Sequence, residues 1–121
     1  MGKLKLKGKT DIQIFSGTTF YGKITLTNED DELFLLSEND KIIFGVKQNS
    51  ECTEYDIKKV LTFNNEINGS YPFVLSAEET ALYPCKYFYD VGVQLEDGDF
   101  YIVVPCSEFN VKRTVTQKES E

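Results

Sequence analysis

The chain has 121 residues, a formal net charge of −7 at pH 7 and no histidine. That length fits a single domain, residues 1–121, with its own apolar core, and the acidic balance argues against a nucleic-acid partner. The absence of histidine removes the commonest general base and the commonest metal ligand. We therefore predict no enzyme activity and no catalytic, metal-binding or cofactor-binding residues.

The N-terminus is basic, and its lysines alternate with smaller or apolar residues such as Leu4 and Leu6. This pattern predicts that residues 1–9 form either an edge strand or a loose arm. No apolar segment follows, so no signal peptide is expected. No apolar run approaches the length of a membrane span, so no membrane partner is expected either.

Residues 29–32 form a dense acidic cluster. One interpretation is that the basic strand adds to the edge of a neighbouring copy and is held by acidic groups there, so that salt weakens the contact. The alternative is that the lysines only protect an edge within the monomer. The candidate assembly surface comprises Lys3, Lys5, Lys7, Lys9, Glu29, Asp30, Asp31 and Glu32.

Short segments with alternating or continuous apolar residues follow one another along the middle of the chain, separated by polar turns. Such spacing predicts strands of an all-β protein. Asn68-Gly69 gives a strong turn signal in the same region. The predicted strands cover residues 12–14, 20–27, 33–36, 42–46, 55–63 and 71–75.

A corner motif follows at residues 76–89. Ser76 and Glu79 have the spacing of a capping box, which predicts one short helical turn near residues 77–83. The sequence after it is typical of the corner where a sandwich chain crosses between its sheets, and there a tyrosine hydroxyl bonds back to the backbone. Tyr87 or Tyr89 is predicted to have that role; the alternative is a plain core tyrosine. The corner residues are Leu82, Pro84, Tyr87 and Tyr89.

The segment from residue 87 to residue 104 predicts a β-hairpin. Its first strand alternates, with Phe88 as the exception, and Asp97-Gly98 suits a two-residue loop. That loop pairs Val93 with Ile102 and Val91 with Val104, all on one face. A last strand is predicted at residues 109–115 and a disordered tail at 117–121.

The three cysteines, Cys52, Cys85 and Cys106, are odd in number and lack metal-site spacing, so we expect free thiols. With about seven to nine short strands and no long amphipathic helix, the predicted fold class is all-β, an immunoglobulin-like antiparallel β-sandwich.

The order of several motifs resembles the immunoglobulin-like N-terminal domain of phage upper baseplate (BppU-type) proteins and small prophage tail proteins. The motifs are Gly17-Thr18-Thr19, the strand at residues 40–47, the corner at 75–91, Asp97-Gly98 and Phe109-x-Val111. One departure is Cys85, where that family pattern has glycine after the proline. If the position needs positive φ, Cys85 is expected to be strained.

The resemblance implies a non-enzymatic structural part of a phage or prophage tail or baseplate that acts through protein–protein contacts. Its partners would be other tail or baseplate proteins, with a homo-oligomer possible. It would be present in the bacterial cytoplasm during assembly and afterwards in the virion.

Two alternatives remain open. A carbohydrate-binding module would present exposed aromatic side chains on one sheet face, for which the candidates are Tyr21, Phe88 and Tyr101. A cell-surface adhesion domain is disfavoured by the missing signal sequence.

Overall fold

The computed structural model describes residues 4–119 and shows an all-β protein with seven strands and one 3₁₀ helix, Phe63–Asn65. The described residues contain no helix that could span a membrane. The strands are β1 (Ile12–Phe15), β2 (Phe20–Ile24), β3 (Lys41–Lys47), β4 (Ile57–Leu61), β5 (Tyr71–Leu75), β6 (Lys86–Gln94) and β7 (Phe100–Lys112).

The strands form two sheets. The larger sheet has five strands in the order β1-β7-β6-β3-β4, and the smaller sheet pairs β2 with β5. The predicted purely antiparallel arrangement is wrong for one pair, because β1 runs parallel to β7 with Ile12 opposite Phe109 and Ile14 opposite Val111. Almost the whole chain separates these two strands, which provides the long crossover that a parallel pair requires.

The core lies between the two sheets. Phe44 of β3 contacts Phe73 of β5 with ring centroids 4.9 Å apart, which joins the larger sheet to the smaller one. The predicted alternation in β6 is confirmed, because every inward residue from Tyr87 to Val93 is at most 5% exposed. Each fully buried side chain of this size stabilises the fold by about 1.5–3 kcal/mol.

The hairpin between β6 and β7 has a three-residue loop, so its predicted two-residue loop is wrong. The Leu95 amide donates to the Asp99 carbonyl over 2.8 Å, and the Gly98 amide donates to the Leu95 carbonyl over 3.0 Å. Gly98 alone in the loop has positive φ, at 97°, as expected for a type I turn followed by a glycine bulge. Val93 consequently pairs with Tyr101 rather than Ile102.

Two irregularities in the pairing of β6 with β7 change the register again. Counted along β6, the shifts fall between Tyr89 and Val91 and between Val91 and Gly92. As a result Val91 pairs with Val104, as predicted. Pro105 lies within this part of β7, which is where a strand tolerates a residue without an amide donor. The result is one long strand, where the sequence predicted two separate ones.

The predicted strand at residues 33–36 is also wrong. Phe34 and Leu36 are buried, but the segment forms only an isolated bridge between Leu33 and Thr27. The apolar side chains therefore anchor a loop to the core, which a continuous apolar run does not distinguish from a strand.

The capping box at Ser76 and Glu79 is present, and the predicted helical turn is a single turn at residues 77–80, in which the Thr80 amide donates to the Ser76 carbonyl over 3.1 Å. The Ser76 amide donates to a Glu79 carboxylate oxygen over 2.9 Å, and the Glu79 amide donates to the Ser76 hydroxyl over 3.1 Å. The turn stops because Thr80 bonds to another loop: its hydroxyl donates to the Thr18 carbonyl over 2.6 Å, and its carbonyl accepts from Gly17.

The corner between β5 and β6 crosses from the smaller to the larger sheet, as predicted. The Tyr87 hydroxyl donates to the Tyr83 carbonyl over 2.8 Å, four residues upstream. Tyr89 instead donates to the Thr10 carbonyl. The predicted strain at Cys85 is absent, because Asp31 and Asn68 are the non-glycine residues with positive φ in the described part. All three cysteines are free thiols.

Candidate protein-docking face

The outward side of the larger sheet carries several exposed apolar and aromatic side chains. We call it the outer face. Its orientation follows from strand alternation, since the residues between the core positions of β3, β4, β6 and β7 point away from the smaller sheet. The outer face comprises Val60, Lys58, Ile43, Gly45, Lys47, Phe88, Asp90, Gly92, Phe100 and Ile102, with Tyr55 from the preceding loop.

An apolar band runs across this face. Val60 lies opposite Ile43, Ile43 opposite Gly92, and Gly92 opposite Ile102, so the four residues are in line across four strands. Val60 is 44% exposed, Ile102 38% and Phe100, beside the band, 55%. Single exposed apolar residues are ordinary on protein surfaces, but a contiguous patch is typical of an interaction site.

Two glycines form the floor of a shallow groove of about 230 Å³ in the outer face. A Cβ atom on Gly45 would lie 2.4 Å from the Tyr55 ring, and one on Gly92 would lie 2.6 Å from the Phe100 ring. The rings therefore rest on bare backbone, a close approach that strand glycines permit. Any other residue at these two positions would displace the rings and fill part of the groove.

Asp90 lies in this groove, directly opposite Gly45. Its side chain is half-buried. Burial raises the pKa of the Asp90 carboxyl above its ordinary value, and Lys47 offsets only part of that rise. The Lys47 ammonium nitrogen lies 4.8 Å from the centre of the Tyr55 ring, and that of Lys58 lies 5.3 Å from it, so both cations are placed against this ring.

The structure places part of the predicted assembly surface against the chain itself. The Lys5 ammonium group forms an ion pair with Asp31, and the Lys5 amide donates to the Thr27 carbonyl over 2.9 Å. Leu4 is 7% exposed, whereas Leu6 is 59% exposed, so residues 4–9 form an arm with one bridge rather than a regular strand. Lys3 lies outside the described residues.

The acidic cluster at 29–32 is an exposed tight turn. The Asn28 side-chain oxygen accepts from the amides of Asp30 and Glu32 over 2.9 and 3.0 Å, which accounts for the conformation of the turn. The contact of Lys5 with Asp31 favours the alternative in which the lysines act within the monomer.

The predicted aromatic candidates do not lie together. Tyr21, 77% exposed, belongs to β2 of the smaller sheet, and Phe88 lines the groove of the outer face. Tyr101 alternates with Phe100 and Ile102 along β7 and packs partly against the core.

Sequence reasoning missed Tyr55 and Phe100 as groove residues. The signal that indicates them is a glycine in a strand interior, at Gly45 and Gly92, because a strand glycine often marks close approach by another group.

Among residues 4–119, no group of three or more cysteine, aspartate or glutamate side chains is placed to hold a metal ion. A scan against models of known protein families finds no match to this chain, and a search of curated proteins finds none either.

Proposed function

We propose that this chain is a non-enzymatic assembly module of a phage or prophage tail or baseplate, and that it docks on another tail protein through the outer face. It would be made in the bacterial cytoplasm and end in the virion. The observation that carries the proposal is the exposed apolar band across β4, β3, β6 and β7. The order of motifs that resembles the upper baseplate domains gives the biological setting.

The arrangement of strands supports an immunoglobulin-like fold for this module. The larger sheet carries β3, β6 and β7 next to one another, and the smaller sheet carries β2 and β5. In immunoglobulin-like sandwiches the corresponding third, sixth and seventh strands share one sheet, with the second and fifth in the other. The hydroxyl bond of Tyr87 near the start of β6 matches the tyrosine corner of that fold.

The surface chemistry favours a protein partner over a carbohydrate. The three residues predicted as a carbohydrate platform, Tyr21, Phe88 and Tyr101, do not lie on one face, and in the groove the Phe100 ring lies on the backbone of Gly92. The Tyr55 ring already has two lysines of the same chain against it. The aliphatic band, in contrast, is the kind of surface that becomes the buried centre of a protein interface.

Incorporation into particles tests the proposal. Tail particles are purified from the encoding strain after induction, with a tag on the chain, and the chain is quantified per particle. We expect a fixed number of copies for the unaltered chain and few copies for the Phe100→Ser/Ile102→Ser variant. Tyr21→Ser, on the smaller sheet, is the matched control and should be incorporated normally. Absence of the unaltered chain from purified particles would refute the proposal.

A further inference from the structure

The groove in the outer face contains one feature that apolar docking alone does not use, the carboxylate of Asp90. We propose that this carboxylate receives the guanidinium group of an arginine side chain of the docking protein, inserted into the groove beside the apolar band. This inference rests on the proposed function, since it names the chemistry of the partner at the same face.

The position of Asp90 leaves room for an incoming side chain. Asp90 is in β6, an inner strand of the larger sheet, and its neighbour across β3 is Gly45. Gly92 follows two residues later on the same face. The Tyr55 and Phe100 rings cover the two glycines, and Asp90 lines, together with both rings, the groove of about 230 Å³ that a side chain can enter.

The carboxylate has no partner within the described part of the chain. No salt bridge or side-chain hydrogen bond there involves Asp90, although Lys47 lines the same groove. Asp40 shows the contrast: its two oxygens accept from the Ser37 and Glu96 amides over 2.7 and 2.8 Å. Asp40 therefore holds a loop in place, whereas the Asp90 carboxylate forms no ion pair or hydrogen bond in the described residues and has only the Lys47 charge nearby.

The surroundings of Asp90 fit arginine better than other cations. A guanidinium group is planar, binds a carboxylate through two parallel hydrogen bonds and stacks on aromatic rings. Phe88 and Phe100 line the groove on either side of the Asp90–Gly92 segment. An arginine also has an apolar stem that can lie along Ile102. An ammonium group is more strongly hydrated and gains less from such a site.

Burial of the Asp90 carboxyl also has a cost for the free protein. Because burial raises its pKa, the charged form is less favourable in the folded chain than in the unfolded chain. The Asp90→Asn variant should then be at least as stable as the unaltered protein at neutral pH. Groups whose charge is unfavourable to the fold are commonly those that act in binding.

The test is a titration of the full chain followed by amide NMR, with N-acetyl-arginine methylamide as the probe. We expect saturable shifts centred on Gly45, Asp90 and Gly92, with a dissociation constant on the order of millimolar. The neutral citrulline analogue, which has nearly the same shape, should bind at least about tenfold more weakly. Asp90→Asn should cause a similar loss, and Glu38→Gln, an exposed control, should cause none.

Three results would overturn the inference: equal binding of the citrulline analogue, unchanged binding by Asp90→Asn, or no saturable shift at up to about 50 mM probe. Saturable shifts of the same amides by methyl glucoside, without a response to the arginine probe, would assign the groove to carbohydrate. Because the titration uses the chain alone, it is independent of the particle experiment. Incorporation into particles without arginine binding would refute this inference only. Arginine binding without incorporation into particles would refute the proposed function.

Discussion

The hydroxyl group of Tyr87 should make a measurable contribution to stability, because it fixes the corner at which the chain changes sheets. Tyr87→Phe removes only that hydroxyl and its 2.8 Å bond to the Tyr83 carbonyl, and keeps the buried ring. The net value of such a bond is about 1–1.5 kcal/mol. The unfolding entropy of a domain of this length is about 0.25 kcal/mol per kelvin, so Tm should fall by about 4–6 °C.

Thermal unfolding followed by far-UV circular dichroism, together with urea unfolding, measures this change. Tyr21→Phe is the matched control, since Tyr21 is 77% exposed, and its effect should stay within about 0.5 kcal/mol. Equal effects of the two substitutions would refute the assignment of the corner to Tyr87.

Comparison of the unaltered protein with Tyr87→Phe also gives a prediction about the pH dependence of stability. Burial, followed by the Cys85 thiol as a smaller cause, raises the pKa of the Tyr87 hydroxyl. Below about pH 10 the group is protonated in the folded and unfolded states, and its full contribution is present. Above that pH the unfolded chain ionises first, so the stability difference between the unaltered protein and Tyr87→Phe should narrow. A constant difference up to about pH 11 would contradict this reasoning.

Three further predictions concern the core, a buried carboxylate and the thiols. Asp40→Ala leaves two backbone amides without their acceptor. In urea titration it should lower the free energy of unfolding by about 2–3 kcal/mol. The exposed control Glu38→Ala should change that free energy by no more than about 0.5 kcal/mol. Val93→Asp places a charge at a fully buried position and should abolish the folded circular dichroism signal, while Gln94→Asp changes stability by only about 0.5 kcal/mol. Thiol titration under denaturing conditions should give three thiols per chain; a value of one would reveal a disulfide.

Much of the fold was predictable where one physical rule decides the outcome. Alternation in β6 determined which residues are buried, because side chains of a strand point to opposite faces. The Ser76 and Glu79 pair and the bond of Tyr87 to the backbone depend on short-range spacing, and both are present. The single turn predicted from the capping box is present but covers only residues 77–80, and the Thr80 hydroxyl bonds to the distant Thr18 carbonyl.

Features that depend on loop geometry or on distant contacts were not predictable. Asp97-Gly98 is compatible with two-residue and three-residue loops, and the choice reverses the face to which Phe100 and Ile102 point. The outer face therefore could not be located from the sequence alone. Gly45 in a strand interior indicates that some group approaches closely, but the sequence does not identify that group as Tyr55, because its position depends on how the loop packs on the sheet.

The most direct test of the central claim, that the outer face is covered by a protein partner, is hydroxyl-radical footprinting of the free chain and of purified tail particles. Phe100 and Ile102 are 55% and 38% exposed in the free chain and should be oxidised readily there. In particles we expect strong protection of both residues and unchanged labelling of Tyr21. Equal labelling of Phe100 and Ile102 in the free chain and in particles would contradict that claim.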